Sequence, residues 1–216
     1  MLKQYLEFLT KLKNNNNRQW FAANKAEYAS LQADYMVWIE KILFEMVEID
    51  SSLQFLSAKE CVFRINRDIR FTNDKSPYKT NLSGIFSSSG KSGHNCGYYF
   101  EISSDGELMV GGGQYYLFPK DLFRVRKMLA KDASPLRKVL GNKDFKATFG
   151  ELNGEKLKTH PKGFSPEDPN LDLLKFKNYI AMAYLSAAER SDDEIAEIIV
   201  SKFKTVKPLV DLIRKW

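Results

Sequence analysis

The first part of the chain, about residues 1–50, repeats its apolar positions with the period of an α-helix. A short first helix is predicted by an apolar set at this spacing, namely Leu2, Tyr5, Leu6, Leu9 and Leu12. After four consecutive asparagines, a longer helix is predicted to begin at a cap formed by Asn16 or Asn17. Its apolar stripe comprises Trp20, Tyr28, Leu31, Tyr35, Trp38, Ile42 and Val47.

In the central region, about 55–113, the apolar period shortens towards two, which is typical of β-strands. Ser-Asp-Gly between two alternating segments predicts a hairpin, and Gly111, Gly112 and Gly113 are predicted to close it. Strands are predicted over 55–71, 81–87, 97–102 and 107–110.

The remaining part of the chain, about 119–216, has a mixed pattern. Pro119 is well suited to the first position of a helix, and Ser191 and Glu194 have the spacing of a capping box that opens another. Pro208 is predicted to end that helix and to start a last one. The other predicted elements are helices over 119–130 and 135–140, an irregular β-region over 145–164, a helical turn over 171–177 and a strand over 178–186.

Together these elements predict an α+β fold, a mostly antiparallel sheet flanked by N-terminal and C-terminal helices. With 216 residues, 44% of them hydrophobic, the chain can bury a substantial core, and we expect a single domain over 1–216.

Composition narrows the class of protein. Cys61 and Cys96 are the only cysteines, which excludes a disulfide scaffold and fits a reducing compartment. Lys3, Glu7 and Lys11 interrupt the apolar residues at the start of the chain, and no apolar run approaches membrane-spanning length. We therefore expect a soluble cytoplasmic protein with no membrane partner. The net charge is +6, but the sequence contains no dense block of lysines and arginines. Nucleic acid is therefore a possible partner but not the favoured one.

The segment 64–80, RINRDIRFTNDKSPYKT, carries five cationic side chains and two aspartates. Strand parity places Phe63, Ile65, Ile69 and Phe71 on one face and Arg64, Asn66, Asp68 and Arg70 on the other. Arg67 shares the parity of the apolar residues, where an isolated guanidinium would be costly to bury. It therefore needs a carboxylate, backbone carbonyls or a ligand anion.

Arginine forks and lysine point charges on one face are typical of an oxyanion receptor. The predicted anion-binding residues are Arg64, Arg67, Arg70, Lys75, Tyr78 and Lys79, supported by Asp68 and Asp74. The alternative is a structural lattice in which the two aspartates pair with the arginines or with Lys75. Both arrangements can coexist, because an aspartate can orient a binding arginine.

A second candidate region is the glycine run. Gly111, Gly112 and Gly113 permit the close approach of a ligand, on which Tyr98, Tyr115 or Tyr116 could stack. The alternative is a glycine kink with tyrosines packed in the core. His94, Cys96 and His160 lack the spacing of a zinc site, so neither a metal nor a cofactor is expected.

The motif R-x-x-R-D-x-R-F-x-x-D-K-x-x-Y resembles the hallmark of a widespread microbial family catalogued as a domain of unknown function. It is formed here by Arg64, Arg67, Asp68, Arg70, Phe71, Asp74, Lys75 and Tyr78. Further similarity to that family lies in Asn16, Asn17, Arg18, Trp20, Phe21, Asn24, Lys25 and Tyr28, in Tyr98 with Gly111 to Gly113, in Pro161 to Phe164, and in Leu174, Lys175 and Lys177. The resemblance implies family membership without an accepted activity.

Three functional hypotheses follow. The first is binding of an anionic, phosphorylated or nucleotide-like small ligand. The second is a non-catalytic nucleic-acid-binding module whose tyrosines stack on bases. The third is an interaction scaffold in which the ion network is purely structural. No nucleophile stands out, so the sequence leaves open whether the protein is an enzyme, which ligand it takes, its oligomeric state, and whether Arg67 faces a cleft or a buried carboxylate.

Overall fold

The structure is a computed structural model that describes residues 1–92 and 96–216. Its helices are α1 (Leu2–Asn14), α2 (Arg18–Ala23), α3 (Lys25–Ile49), α4 (Ala58–Cys61), α5 (Pro119–Lys131), α6 (Ser134–Leu140), α7 (Lys143–Phe149), α8 (Leu171–Leu174) and α9 (Asp192–Ile213). Short 3₁₀ turns span Ser51–Leu53 and Gly90–Ser92. His94, considered above as a metal ligand, lies outside the described residues.

The strands are β1 (Asn81–Phe86), β2 (Gly97–Ser103), β3 (Glu107–Gln114) and β4 (Tyr179–Ser186). They form an antiparallel sheet in the order β1-β2-β3-β4, with helices at both ends of the chain. The predicted α+β class is confirmed. No helix within the described ranges is long and apolar enough to cross a membrane.

The chain divides into two compact units. Unit 1 contains Met1–Ser92, Tyr99–Met109 and Tyr184–Val200, and the described part of unit 2 contains 96–98, Val110–Ala183 and Ser201–Trp216. The expectation of a single domain stays a prediction.

The core of unit 1 is built by the amphipathic helices α1 and α3. The side chains of Leu2, Tyr5, Phe8, Leu9 and Leu12 are buried along α1, as the apolar spacing predicts apart from Phe8 replacing the half-buried Leu6. Trp38 of α3 packs edge-on against Phe100, and its indole N–H donates to the Asp192 carbonyl over 2.9 Å. A Cβ at Gly84 would lie 2.6 Å from the Phe100 ring, so β1 needs glycine there to approach that ring.

In unit 2 the glycine run lies inside β3, so the prediction that it closes the hairpin is wrong. A Cβ at Gly111 would lie 1.9 Å from the Ala181 carbonyl oxygen, and one at Gly113 would lie 2.1 Å from that of Tyr179. The glycines therefore allow β3 to approach β4 closely. The Arg126 guanidinium closes the C-terminal end of α8 by donating to the carbonyls of Leu174 and Phe176 over 2.7 and 3.0 Å.

The predicted strand over 55–71 is also wrong. Ser57 and Glu60 form a capping box that starts α4, so the chain turns helical where the alternation suggested a strand. Beyond α4 the backbone is extended but forms only isolated bridges, from Val62 to Gly84 and from Asn66 to Tyr78. Burial still alternates from position 63 to 70 as the parity predicts, whereas Phe71 departs from the pattern and is exposed.

Three further boundaries differ from the expectations. Asn17 caps the short helix α2, so Trp20 belongs to α2, and Met46 instead of Val47 completes the buried stripe of α3. In the predicted β-region over 145–164, the Asn142 side chain caps α7, which occupies the first part. Pro208 lies inside α9, which runs unbroken from Asp192 to Ile213, so the prediction that Pro208 ends this helix and starts another is wrong. The other predicted helices and strands, including the capping box of α9, are confirmed.

Candidate functional site

The charged segment folds into two antiparallel extended arms within unit 1. We call 64–70 the first arm and 75–80 the second arm. The Arg67 amide donates to the Pro77 carbonyl over 2.9 Å, and the Lys79 amide donates to the Ile65 carbonyl over 2.8 Å. These two bonds bring the beginning of the motif next to its end.

Asn16 holds the second arm from the outer side. Its side-chain amide donates to the Tyr78 carbonyl over 2.9 Å, and its side-chain oxygen accepts from the Tyr78 amide over 3.1 Å. The ring of Tyr78 stacks on Phe21 with a centroid distance of 4.1 Å. One side chain thus satisfies both backbone groups that a third strand would otherwise take, which explains why the arms do not extend into a sheet.

Three of the five cations are engaged inside the arms. Arg67 forms an ion pair with Asp74 and donates to the Ser76 carbonyl over 3.1 Å. Arg70 grips Asp68 with its Nε and Nη2 atoms over 2.9 and 2.7 Å, and Lys75 donates to the carbonyl of Ile69 over 2.9 Å. Arg67 therefore faces an exposed carboxylate and a backbone carbonyl, and 25% of its side chain remains exposed.

Both aspartates are held in the ionised form. The hydroxyl and amide of Ser76, together with Arg67, lower the pKa of Asp74 to about 2. Hydrogen bonds from the Arg70 side chain and amide lower the pKa of Asp68 to about 2. At neutral pH these carboxylates neutralise their arginines, as the structural lattice requires.

Arg64 and Lys79 are arranged differently. Within the described part of the chain, Arg64 has no hydrogen bond or ion pair and its side chain is exposed. The Lys79 ammonium lies 4.8 Å from the centroid of the Phe63 ring. Burial lowers the pKa of Lys79, and nearby Arg64 lowers it further, whereas Glu101 acts in the opposite direction. Lys79 is thus a partly desolvated cation with no carboxylate among the described residues within 4.0 Å.

Both of these cations line a small cavity of about 20 Å³. We call it the tyrosine cavity, because its other lining residues include Tyr5, Tyr28, Gln32, Tyr35, Phe63 and Asn81. Its volume is about that needed to hold one water molecule. Only a single small polar group of a ligand would fit inside, and the remainder would lie at the mouth.

Two buried polar atoms at this cavity have no hydrogen-bond partner among the described residues: the Tyr35 hydroxyl and the Asn81 side-chain oxygen. Tyr35 is only 1% exposed, and burial raises its pKa well above the usual range, so it is a hydroxyl donor at neutral pH. Its neighbour Tyr5, in contrast, donates to the Gln32 side-chain oxygen over 2.6 Å. Buried polar atoms without partners are uncommon, and a donor and an acceptor in one cavity suit a polar group from outside.

A second concave surface in unit 1 is much larger, about 790 Å³, but has less chemical definition. It lies between α1 and the loop 187–191, and its charged side chains have mixed signs: Lys3, Glu7, Lys11, Glu189 and Arg190. None of its described lining residues has a buried polar atom without a partner. We therefore place the candidate site at the tyrosine cavity.

The predicted supporting residues of the glycine region are not part of this cavity. Tyr98, Gly111, Gly112 and Gly113 are buried in unit 2, where Tyr98 packs against Phe203 with a centroid distance of 5.3 Å. The buried ring of Tyr98 offers no face to a ligand. No group of three possible metal ligands occurs in the ranges that the structure describes.

Sequence reasoning missed four residues as parts of the site: Asn16, Gln32, Tyr35 and Asn81. From the sequence, Asn16 is predicted only as a helix cap and a point of resemblance, and Tyr35 only as part of an apolar stripe. A polar tip on a residue of an apolar helical stripe was the available signal for Tyr35, because a buried tyrosine hydroxyl usually requires a partner. The other three carried no such signal.

Comparison with known proteins gives one positive result. The model of a family described as conserved hypothetical protein (DUF2461) matches residues 4–212, nearly the whole chain. No curated protein and no solved structure matches. The family resemblance is thereby confirmed, and that description assigns no activity.

Proposed function

We propose that this chain, which belongs to the DUF2461 family, binds a small ligand through an oxyanion group at the mouth of the tyrosine cavity. Arg64 and Lys79 contact the oxyanion, and Tyr35 and Asn81 take up one polar group inside. One observation carries the proposal: within the described residues, two cations without a carboxylate partner and two buried polar atoms without a hydrogen-bond partner line the same cavity. The proposal concerns binding and assigns no reaction.

The chemistry of the two cations suits a phosphate or carboxylate group. A guanidinium meets two oxyanion oxygens with parallel hydrogen bonds, and an ammonium adds a compact charge. Lys79 is partly desolvated, which disfavours its charge. A bound anion would offset that cost, and the same partial burial would strengthen the attraction relative to open solvent.

In this proposal Arg67, Lys75 and Tyr78, together with Asp74, hold the arms in place, whereas Arg70 and Asp68 form a local pair within the first arm. The hydrogen bonds of Arg67 and Lys75, with those between the two backbones, join the arms and thereby position Arg64 opposite the end of the second arm. Because three of the five cations are already engaged, the segment has little charge left to track a nucleic-acid backbone. This favours a small anion over the nucleic-acid hypothesis at this site.

Thermal-shift and calorimetric titrations test the proposal with inorganic phosphate, pyrophosphate, citrate and adenosine monophosphate. We expect at least one anion at 100 times its Kd to raise the melting temperature by about 5 °C or more. Arg64→Met should lower affinity for that anion about tenfold or more, because a hydrogen bond between charged groups contributes about 1.5 kcal/mol or more.

Arg70→Met is the matched control, since Arg70 is an exposed arginine of the same arm that is already paired with Asp68. Its affinity should stay within about twofold of wild type, in keeping with the small contribution of an exposed ion pair. If none of the four anions binds, or if both variants lose affinity equally, the proposal is wrong. The arms would then be a structural lattice, as the scaffold hypothesis holds.

A further inference from the structure

Helix α5 in unit 2 exposes a face that combines cations with large apolar side chains. Val125 and Leu129 are buried and Leu122 is half-buried, so the apolar stripe of the helix faces the interior of unit 2. The opposite positions recur at helical spacing and form what we call the α5 face: Lys120, Phe123, Arg124, Lys127, Met128 and Lys131. All of them are exposed.

The charge of the α5 face is almost entirely positive. Arg124 pairs with Asp121 over 3.3 Å, whereas no carboxylate in the described ranges lies within 4.0 Å of Lys120, Lys127 or Lys131. Asp132 at the end of the helix is engaged with the Ser134 amide over 2.8 Å. The cations from Lys120 to Lys131 therefore form a stripe about 16 Å long, given a rise of about 1.5 Å per residue.

Exposed aromatic rings lie on the α5 face and in the segment just before the helix, and three of them contact a neighbouring ring. Phe123 is 41% exposed, its ring meets that of Phe164 at 5.6 Å, and the Lys127 ammonium lies 4.9 Å from its centroid. Before the helix, Tyr116 and Phe118 contact each other edge-to-face at 5.1 Å, and Tyr115 is 73% exposed. Rings that are fixed but accessible are suitable platforms for stacking.

We infer that the α5 face, together with Tyr115, binds single-stranded nucleic acid. Its cations would follow the phosphates while bases stack on the exposed rings, a combination that is typical of sequence-tolerant single-strand binding. This inference uses a different site from the oxyanion site and does not depend on it. It also moves the nucleic-acid hypothesis from the charged arms to a surface where the cations are available.

A membrane surface is the main competitor, and the burial pattern argues against it. An interfacial helix inserts a broad apolar face opposite its charged face. In α5 the broad apolar face is already packed inside unit 2, and its exposed side alternates lysines and arginine with only Phe123 and Met128. A stacking surface needs accessible rings beside cations, and on α5 the ring of Phe123 lies between Lys120 and Lys127 in the sequence.

Fluorescence anisotropy of the full chain with a labelled 15-mer of oligo(dT) tests the inference. With four cations on the α5 face, the slope of log K against log salt should be near −3, since single strands give about −0.7 per neutralised phosphate. Affinity should therefore fall about fifty-fold between 50 and 200 mM salt. Lys127→Ala should reduce the steepness of that slope by about 0.7, and Tyr115→Ala should lower affinity about tenfold through lost stacking.

Matched controls lie in unit 1. Tyr184 is an exposed tyrosine (59%) and Lys41 is an exposed lysine on α3. Tyr184→Ala and Lys41→Ala should leave affinity within about twofold. Circular dichroism of each variant establishes that it is folded, because the substituted side chains are exposed and should not affect the core.

The inference fails if the controls lose as much affinity as the α5 variants, since binding would then reflect the overall net charge of +6. It also fails if oligo(dT) does not bind while vesicles containing about a third phosphatidylserine do, which would assign the face to anionic membranes. Duplex DNA bound as tightly as oligo(dT) at equal salt would equally exclude stacking as its basis.

Discussion

The charged arms contain two groups of cations that are alike in composition and different in surroundings. Arg67, Arg70 and Lys75 each bond to a carboxylate or a carbonyl within the arms. Arg64 and Lys79, from the same segment, line the tyrosine cavity without such a partner. The comparison teaches that charge density along a sequence does not identify a binding site. Which cations can meet a ligand depends on which acceptors the backbone already brings to them.

Local spacing explains the difference. Asp68 lies two residues before Arg70, and Asp74 lies two residues before Ser76 in a turn that its carboxylate closes. Acceptors are therefore concentrated between the arms. At their far end, where the Lys79 amide meets the Ile65 carbonyl, the arms contain no acidic residue. The acidic influence on Lys79 comes from Glu101 of β2, whose carboxylate accepts a hydrogen bond from Tyr99 over 2.7 Å.

The largest effect on stability is expected for Asn16, because it holds the second arm, which carries cations of both groups. Asn16→Ala removes the two hydrogen bonds to the backbone of Tyr78 and leaves a partly buried N–H and C=O without partners. We expect the free energy of unfolding to fall by about 2 to 3 kcal/mol, measured by urea denaturation. Anion affinity should fall as well, because Lys79 follows Tyr78 directly.

Asn15→Ala serves as the control, since the Asn15 side chain donates to the Lys11 carbonyl in an exposed position and its backbone bonds do not depend on the side chain. It should change stability by no more than about 0.5 kcal/mol. Equal stability of the two variants would show that Asn16 does not hold the second arm.

Separate substitution of the two groups should give opposite phenotypes. Arg67→Met loses the hydrogen bond to the Ser76 carbonyl, so we expect a loss of about 1 kcal/mol in unfolding free energy with anion affinity within about threefold. Arg64→Met should leave stability within about 0.5 kcal/mol, whereas its anion affinity drops as described above. Methionine preserves much of the apolar stem in both variants. If Arg64→Met is destabilised more than Arg67→Met, the distinction between the two groups of cations is wrong.

The fold was largely predictable because most elements have local signals. Pro119 at the start of α5, Ser191 with Glu194 before α9, and the Ser-Asp-Gly turn each fix a boundary within a few residues. The prediction of a strand over 55–71 was wrong although this range also has a local signal. Ser57 and Glu60 start the short helix α4. The alternating pattern that follows them belongs to the first arm, whose backbone pairs with the second arm and not with the sheet.

The candidate site was predictable only in part. Charge along 64–80 pointed to the segment that contributes Arg64 and Lys79 to the tyrosine cavity, and the parity of Arg67 predicted that it needs a carboxylate, a carbonyl or a ligand anion. The roles of Tyr35 and Asn81 depend on contacts between α3, β1 and the arms, which no spacing within one element reports. The role of the glycine run could not be predicted for the same reason. Glycine is needed there because the carbonyls of Ala181 and Tyr179, on another strand, lie close to β3.

A smaller effect should separate the two buried tyrosines at the cavity. Tyr35→Phe removes a hydroxyl without a partner, so the empty protein should gain about 1 kcal/mol in unfolding free energy and lose anion affinity. Tyr5→Phe removes the bond to Gln32 and should lose about 1 kcal/mol. Denaturation with and without phosphate measures both. Destabilisation by both substitutions would mean that the Tyr35 hydroxyl is satisfied in the empty protein and is not available to a ligand.

The smallest expected effect is a loss of stability at low pH, and it tests only the cations that are paired within the charged segment. The pKa of Asp74 is lowered to about 2 in the folded protein, whereas an unfolded aspartate titrates near 4. Its contribution to stability is therefore present above about pH 4 and is lost as the pH falls towards 2. Asp74→Asn should lower the melting temperature at neutral pH, and the difference from wild type should shrink towards zero between pH 4 and pH 2.

Asp68→Asn is the comparison that gives this titration its meaning. Asp68 has an equally lowered pKa, but its partner Arg70 is only two residues away and stays nearby in the unfolded chain. Asp74 also has a local partner, Ser76, but its ion pair with Arg67 requires the folded arms. The pH-dependent difference in melting temperature should therefore be smaller for Asp68→Asn than for Asp74→Asn. Both carboxylates are solvent-exposed, which keeps either effect small and sensitive to salt. Equal pH dependence of the two variants would contradict the view that Asp74 ties together distant parts of the arms while Asp68 makes only a local pair.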